Sequence, residues 1–249
     1  KWTQILIGYM NKRLMFSAAV VMTLLSANAQ KRAFTIEDLY RVKGVSSVSL
    51  SPDGKTVCYT ASSSDLKNQK SGSDIYIMNA DGSHAKALTE DGKSSSAVWG
   101  KDGKGIFFTN YEKGTAQIFR MDLTTCETEQ VTDYELGIGS PVISPDERYI
   151  AFTAEVYPDL GADAKANKAR MEKKEQGPVQ AHIADKLLYR HWTSYNDGRC
   201  NHLILFDTHT KTYKDLTPGN YSLIFVVGGG ITYQFSPDSK EICFVSNHD

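Results

Sequence analysis

A serine held on a sharp strand-to-helix elbow, Gly-x-Ser-x-Gly, is the sequence form of an activated hydroxyl nucleophile. This chain has two near misses. Gly44-Val45-Ser46-Ser47-Val48 lacks the second glycine, and Gly92-Lys93-Ser94-Ser95-Ser96 lacks it as well. The second stretch also fails as a phosphate-binding loop, because Ala87 stands where Gly-x-x-x-x-Gly-Lys-Ser requires its first glycine. Gly228-Gly229-Gly230 has the glycines of an oxyanion-binding His-Gly-Gly-Gly, but Val227 replaces the histidine, and a turn before a strand is the simpler reading. No catalytic residue is therefore expected within the chain.

Metal and thiol chemistry fare no better. His182, His191 and His202 with Cys200 match no zinc spacing, and Cys200-Asn201-His202 opens a strand, where alternate residues share a face by default. The four cysteines, Cys58, Cys126, Cys200 and Cys243, form no Cys-x-x-Cys pair. Neither a metal nor a cofactor is expected.

One group of side chains stands apart. Tyr189, Arg190, His191, Trp192 and Tyr195 fall within seven positions, near Asp185 and Asp197. An aromatic wall carrying a few polar groups suits a peptide chain, so these five are the candidate substrate-binding residues. The competing explanation is that Tyr189 and Trp192 only pack their own segment down.

The elements that must carry this cluster are set by a repeat. Ser51-Pro52-Asp53-Gly54, Ser144-Pro145-Asp146-Glu147 and Ser236-Pro237-Asp238-Ser239 recur, with a degenerate copy at Gly100-Lys101-Asp102-Gly103. Aligned on the aspartate, Leu50, Trp99, Ile143 and Phe235 stand three residues before it. Val57, Ile106, Ile150 and Ile242 stand four after it. Next come Cys58, Phe107, Ala151 and Cys243, then Tyr59, Phe108, Phe152 and Phe244, then Thr60, Thr109, Thr153 and Val245. A Pro-Asp-Gly turn between β-branched and aromatic runs predicts a hairpin: proline presets φ, aspartate bonds nearby backbone, and glycine accepts positive φ. The shared column makes Cys58 and Cys243 packed apolar residues.

A second set of columns follows. Ile75-Tyr76-Ile77-Met78-Asn79 matches Ile118-Phe119-Arg120-Met121-Asp122 and Leu203-Ile204-Leu205-Phe206-Asp207. Ten residues beyond each Asn/Asp comes an aliphatic–threonine pair: Leu88-Thr89, Val131-Thr132 and Leu216-Thr217. Turn aspartates are 49, 44 and 92 residues apart, and the long third interval holds an insertion, about residues 155–199, rather than a missed repeat. Four short strands every 40–50 residues are the mark of propeller blades. The prediction is an all-β fold, a β-propeller of four-stranded blades. It is incomplete, with three blades, the start of a fourth at Tyr233, and a partly helical insertion in the third. Residues 162–176, rich in Ala, Lys and Glu and ending at Gly177-Pro178, are the expected exposed helix. An open stack leaves an unpaired edge, so further blades are expected after Asp249.

The N-terminus reads differently. Met10-Asn11-Lys12-Arg13, an apolar run from Leu14 to Leu25 and Ala27-Asn28-Ala29 make a secretory signal peptide over residues 10–29. Residues 1–9 precede the start methionine as upstream read-through, and residues 30–249 form the partial propeller domain. Twelve apolar residues fall short of the roughly 20 a membrane-spanning helix needs, so no span is expected after cleavage. The expected location is periplasmic or secreted. A formal net charge of -1, with lysines and arginines scattered apart from a mixed-charge stretch near 165–175, excludes a general affinity for nucleic acid.

The repeats resemble the propellers of periplasmic TolB proteins and of the S9 (prolyl oligopeptidase) family of serine peptidases. The tract Ala184-Asp185-Lys186-Leu187-Leu188-Tyr189-Arg190-His191-Trp192 is similar to the tyrosine–basic–His–Trp segment in a long third-blade insertion. That segment belongs to the dipeptidyl-peptidase 5 and acylaminoacyl-peptidase-like branch. The opening Phe34-Thr35-Ile36-Glu37-Asp38-Leu39-Tyr40, with Val45 to Leu50, resembles the entry to that family's first blade. So do Gly228-Gly229-Gly230 before the fourth turn and Phe244-Val245-Ser246-Asn247 after it. The resemblance implies an exported peptidase of oligopeptides whose propeller gates access. It also implies a C-terminal α/β-hydrolase domain carrying a Ser-Asp-His triad beyond Asp249, and an insertion that helps anchor the substrate's N-terminal end. The alternative is a non-catalytic TolB-like propeller that binds proteins or peptides.

Overall fold

The computed structural model describes residues 32–179, 181, 187, 189–223 and 232–246. The expected signal peptide, Gly228–Gly230 and the leading part of the insertion tract, including His182, lie outside them. The chain divides into two compact units, with the boundary after Val42. In the first, a single-turn helix, α1 (Ile36–Arg41), is capped at its start by Asp38, whose carboxylate accepts from Thr35 N at 2.9 Å.

The second unit consists of antiparallel four-stranded sheets in chain order. Sheet one is β1 (Gly44–Leu50), β2 (Thr56–Asp65), β3 (Lys70–Asn79) and β4 (Lys86–Ala87). Sheet two is β5 (Ser94–Trp99), β6 (Gly105–Asn110), β7 (Gln117–Asp122) and β8 (Thr128–Gln130). In sheet three, β9 (Gly139–Ile143) and β10 (Tyr149–Val156) are followed by a detour before β13 (Cys200–Asp207) and β14 (Thr212–Asp215) complete the blade. The detour holds α2 (Ala164–Glu175) and a hairpin, β11 (Arg190–His191) with β12 (Ser194–Tyr195). A fourth sheet has two strands, β15 (Tyr233–Phe235) and β16 (Ile242–Phe244). First strands lie beside first strands, β1 against β5 and β9 against β15, which is how propeller blades stack. The predicted blades, and the predicted position of the insertion, are what the chain forms.

Strand alternation decides which neighbour each side chain meets. On β6, Ile106 and Phe108 join Cys58, Ile75 and Ala97 in the core between blades one and two. Phe107 points the other way, into a core with Ile118, Tyr134, Ile150, Phe152, Ile204 and Phe206 between blades two and three. On β10, Ala151 faces Leu203, Leu223, Tyr233 and Phe235 between blades three and four. The column Cys58, Phe107, Ala151, Cys243 thus always looks toward the following blade. Cys58 is fully buried, and burial pushes its thiol up to about 11, an inert group. Cys243 is a correction: it is exposed, because its column faces away from blade three.

The repeated turns owe their shape to more than proline and glycine. In the first, Ser51 Oγ donates to Asp53 Oδ1 at 2.7 Å and accepts from Thr56 N at 2.9 Å, while Asp53 Oδ1 accepts from Lys55 N at 3.1 Å. The same bonds recur at Ser144–Asp146 and Ser236–Asp238. The serine hydroxyl is the largest cause holding all three carboxylates below the usual value. The fourth turn position has positive φ throughout: 71° at Gly54, 65° at Gly103, 64° at Glu147 and 62° at Ser239. Where a side chain stands in that left-handed region, it reaches back to the preceding blade's turn. Glu147 Oε1 accepts from Lys101 N at 2.5 Å, and Ser239 Oγ accepts from Asp146 N at 3.0 Å. These bonds offset the strain glycine would avoid.

The threonine column has one job in every blade. Thr89, Thr132 and Thr217 Oγ1 each accept the N–H of a buried aliphatic on the third strand, from Ile75, Ile118 and Leu203, at 2.9 Å. The outermost strand has by then diverged, so the hydroxyl replaces a lost ladder bond. A further column escapes the turn-based alignment. Ser47, Ser96 and Ser140 have φ of 50°, 56° and 47° and mark a bulge in each first strand, where the ladder slips register.

Candidate functional site

The insertion leaves the third blade at Val156 and returns at Cys200, residues that pair directly across the β10–β13 ladder. Its base is built around Asn167, a buried amide in the first turn of α2. Asn167 Oδ1 accepts from Tyr157 N at 2.6 Å, and its Nδ2 donates to Asp163 O at 2.8 Å and Gly161 O at 3.0 Å. Asp163 caps α2 by accepting from Ala166 N at 3.0 Å. Arg170 grips Asp159 through two bonds of 2.8 and 2.7 Å, with its guanidinium 4.7 Å from the Tyr157 ring centroid. Arg199, at the return, holds Asp197 at 2.8 Å and Glu155 at 3.3 Å, and Lys174 Nζ donates to Asp197 O at 3.2 Å. The helix is mostly solvated, as expected, but it starts two residues later and is pinned by a polar residue that periodicity does not flag.

On this base stands the candidate site. Arg190 pairs with Tyr195 and His191 with Ser194, while Tyr189 O accepts from Asn196 N at 2.9 Å. Opposite positions in such a pair put their side chains on one face. The Arg190 guanidinium accordingly lies 6.0 Å from the Tyr195 ring centroid, within range of a cation–π attraction. Trp192 is the first of the two residues joining the strands, at φ 51°, and is 82% exposed; Tyr189 and Tyr195 are 47% and 43% exposed. The five predicted residues are therefore neighbours on one small hairpin. An indole at a loop tip in a conformation that favours glycine is held there by the pairing on either side. The hairpin presents large aromatic and cationic surface.

Among the described residues no group of three His, Cys, Asp or Glu side chains is placed to hold a metal. His202, raised as a ligand candidate, is fully buried and spends both ring nitrogens inside blade three, Nδ1 on Asp215 Oδ2 at 2.7 Å and Nε2 on Gly219 O at 2.9 Å. Sequence reasoning missed this clasp; the alternation of β13 shows only that His202 faces inward. Among the described residues no helix is long and apolar enough to cross a membrane.

The family model "TolB beta propeller domain" matches residues 17–175. The chain belongs to this family. It is 29% identical over 248 residues to Dipeptidyl-peptidase 5 of Porphyromonas gingivalis, a match covering 95% of this chain and 35% of that protein. Dipeptidyl-peptidase 5 of Porphyromonas endodontalis is 28% identical over 168 residues, covering 67% of this chain and 23% of the relative. An acylaminoacyl peptidase of Pyrococcus horikoshii superposes with a TM-score of 0.55 at 18% identity, over 74% of this chain and 26% of that one. The chain thus spans about a third or less of the length of these relatives, and it corresponds to the N-terminal propeller portion of S9-type peptidases. The family resemblance read from the repeats and the insertion tract is borne out.

Proposed function

We propose that this chain is the propeller part of an exported serine peptidase that hydrolyses oligopeptides, and that the hairpin carrying Tyr189, Arg190, His191, Trp192 and Tyr195 contacts the substrate peptide. The observation that carries the reading is the reach of the likeness to Dipeptidyl-peptidase 5. It extends over 95% of the chain, more than the blade repeats alone would occupy. A TolB-like binding module would account for the blades and leave the insertion tract unexplained. In the proposed enzyme the triad lies on a hydrolase domain of the same chain after residue 249. The propeller restricts what reaches it, and the hairpin offers apolar faces and a guanidinium to a short peptide.

The test is kinetic and uses the whole protein. Release of dipeptides from oligopeptide substrates should be abolished by a serine-directed acylating inhibitor, and Trp192→Ala should lower kcat/KM while the melting temperature holds. Whole protein that cleaves nothing, or unchanged kcat/KM in the variant, overturns the enzyme and the hairpin reading respectively. Export is tested separately: N-terminal sequencing of the mature protein should begin at Gln30, and a cytoplasmic product retaining Met10 refutes it.

A further inference from the structure

In each blade the residue before the buried aliphatic of the third strand is polar, and it ties that strand to the segment running on toward the next blade. In blade one Asp74 Oδ1 accepts from Thr89 Oγ1 at 3.2 Å and Gly92 N at 3.0 Å. In blade two Gln117 Oε1 accepts from Thr132 Oγ1 at 2.8 Å and Tyr134 N at 3.1 Å, and its Nε2 donates to Tyr134 O at 2.7 Å. In blade three the position is His202, and its geometry differs in kind. Both ring nitrogens face groups that only accept, the Asp215 carboxylate at 2.7 Å and the Gly219 carbonyl at 2.9 Å. A neutral imidazole has one N–H and one lone pair, so it can satisfy only one of them. The imidazolium satisfies both.

We propose that His202 is a protonation-dependent latch. As the imidazolium it holds the stretch from Asp215 to Leu223 against β13, and loss of its proton releases that stretch, which leads from the third blade to the fourth. The stretch is otherwise held by Thr217 N to Asp215 Oδ1 at 3.0 Å, Leu216 N to Leu203 O at 2.9 Å, Leu223 N to Asn201 O at 2.7 Å and Asn201 N to Ser222 Oγ at 3.0 Å, with Cys200 Sγ 3.8 Å from Asn220 Oδ1. The Thr217 hydroxyl adds its bond to Leu203 N at 2.9 Å. Gly219 sits within it at φ 150°, where a Cβ would strike the Tyr221 ring. The latch also lies close to the insertion, since a Cβ added at Gly161 would come within 3.3 Å of the Asp215 carboxylate.

The surroundings favour the charged ring. Burial alone would lower its pKa, but the Asp215 hydrogen bond, the Asp215 charge and the Gly219 carbonyl together outweigh it, and the pKa stands above the ordinary histidine value. Other titratable groups lie on the packed elements, among them Cys200, two residues before His202 on β13, whose thiol is pushed up by burial. Glu155, on β10 next to the His202 partner Ala154, pairs with Arg199 at 3.3 Å. Asp163 caps α2, and the Tyr134 phenol is pushed up mainly by its burial, with smaller contributions from the Asp215 and Asp163 charges. Tyr221 places its ring centroid 6.4 Å from the imidazole. Lys214 neighbours Asp215 on β14 and pairs across to Leu205. Because the folded pKa is raised, the clasp is complete below the ordinary value of about 6.5 and is lost as pH rises through the folded value. Gln117, which carries no titratable proton, makes blade two the internal control.

The test is hydrogen exchange of the whole protein from about pH 6 to about pH 9, a range that brackets and exceeds the ordinary histidine value, with rates normalised to intrinsic exchange. Protection of residues 216–223 should fall by up to about tenfold per unit between the ordinary histidine value and the raised folded value and level off above it, while residues 131–138 of blade two stay level. Asp215→Asn should move the inflection to lower pH, and His202→Gln should remove it. Parallel behaviour of the two segments, or an inflection unmoved by Asp215→Asn, overturns the latch. Should either variant fail to fold, the wild-type comparison of the two segments still decides. The proposal is independent of the hairpin and of any peptidase activity.

Discussion

The blades and the insertion are stabilised by opposite strategies. In the blades one residue type does one job at a fixed offset, three or four times over: serine and aspartate close the turn, threonine replaces a lost ladder bond, and alternate apolar residues fill the two neighbouring cores. In the insertion nothing repeats. A single buried asparagine, one bidentate arginine and one arginine at the return hold α2, and the hairpin projects beyond them. The difference teaches where disruption should spread. Damage to a column weakens a junction between blades and so the whole stack, whereas damage to the insertion should stay local.

The largest effect should come from Phe152→Ala. Phe152 is fully buried between blades two and three, with its ring 5.1 Å from that of Tyr134. Truncation should cost about 3–5 kcal/mol by denaturant unfolding, with both blades melting together. A local effect confined to one blade would break the contrast. Thr132→Val comes next, because it keeps the shape and strands the buried Ile118 N–H, at about 1–3 kcal/mol in the same measurement. Thr217→Val should match it, and a large disparity between the two would show that the columns are not equivalent.

Asn167→Ala removes three hydrogen bonds yet should act mainly on the insertion. Exchange protection of α2 should drop by about tenfold or more, while the midpoint of global unfolding moves less than in Thr132→Val. Trp192→Ala should be smallest in stability, within about 0.5 kcal/mol, since the indole stands at an exposed tip. A cost approaching that of Phe152→Ala would mean that the hairpin packs as blade residues do and would remove Trp192 from the binding surface.

Much of the blade structure was legible because propeller packing is periodic in the chain. The turns at Asp53, Asp102, Asp146 and Asp238 marked the first hairpin of each blade, and the structure then placed Phe107 and Phe108 in opposite cores. The serine bulge column was equally present, six residues before the turn aspartates of the first three blades, but a left-handed serine inside a strand has no compositional mark. The five hairpin residues were found as a cluster because they are close in sequence. Their hairpin was not foreseen, since two-residue strands joined at Trp192 carry no Asn-Gly or Gly signal.

What the sequence determined by itself was whatever local chemistry repeats: strand, turn, blade, and the place where the third blade is interrupted. Only the tertiary structure decided the contacts made once. Glu147 takes a glycine's conformation because Lys101, in another blade, supplies an N–H to its carboxylate. Asn167 is buried because Tyr157 and Gly161 close around it. His202 gains its two acceptors from Asp215 and Gly219, 13 and 17 residues away. A hydrogen-bond partner distant in sequence leaves no periodic trace, since its spacing depends on how the intervening chain folds rather than on the pitch of a strand.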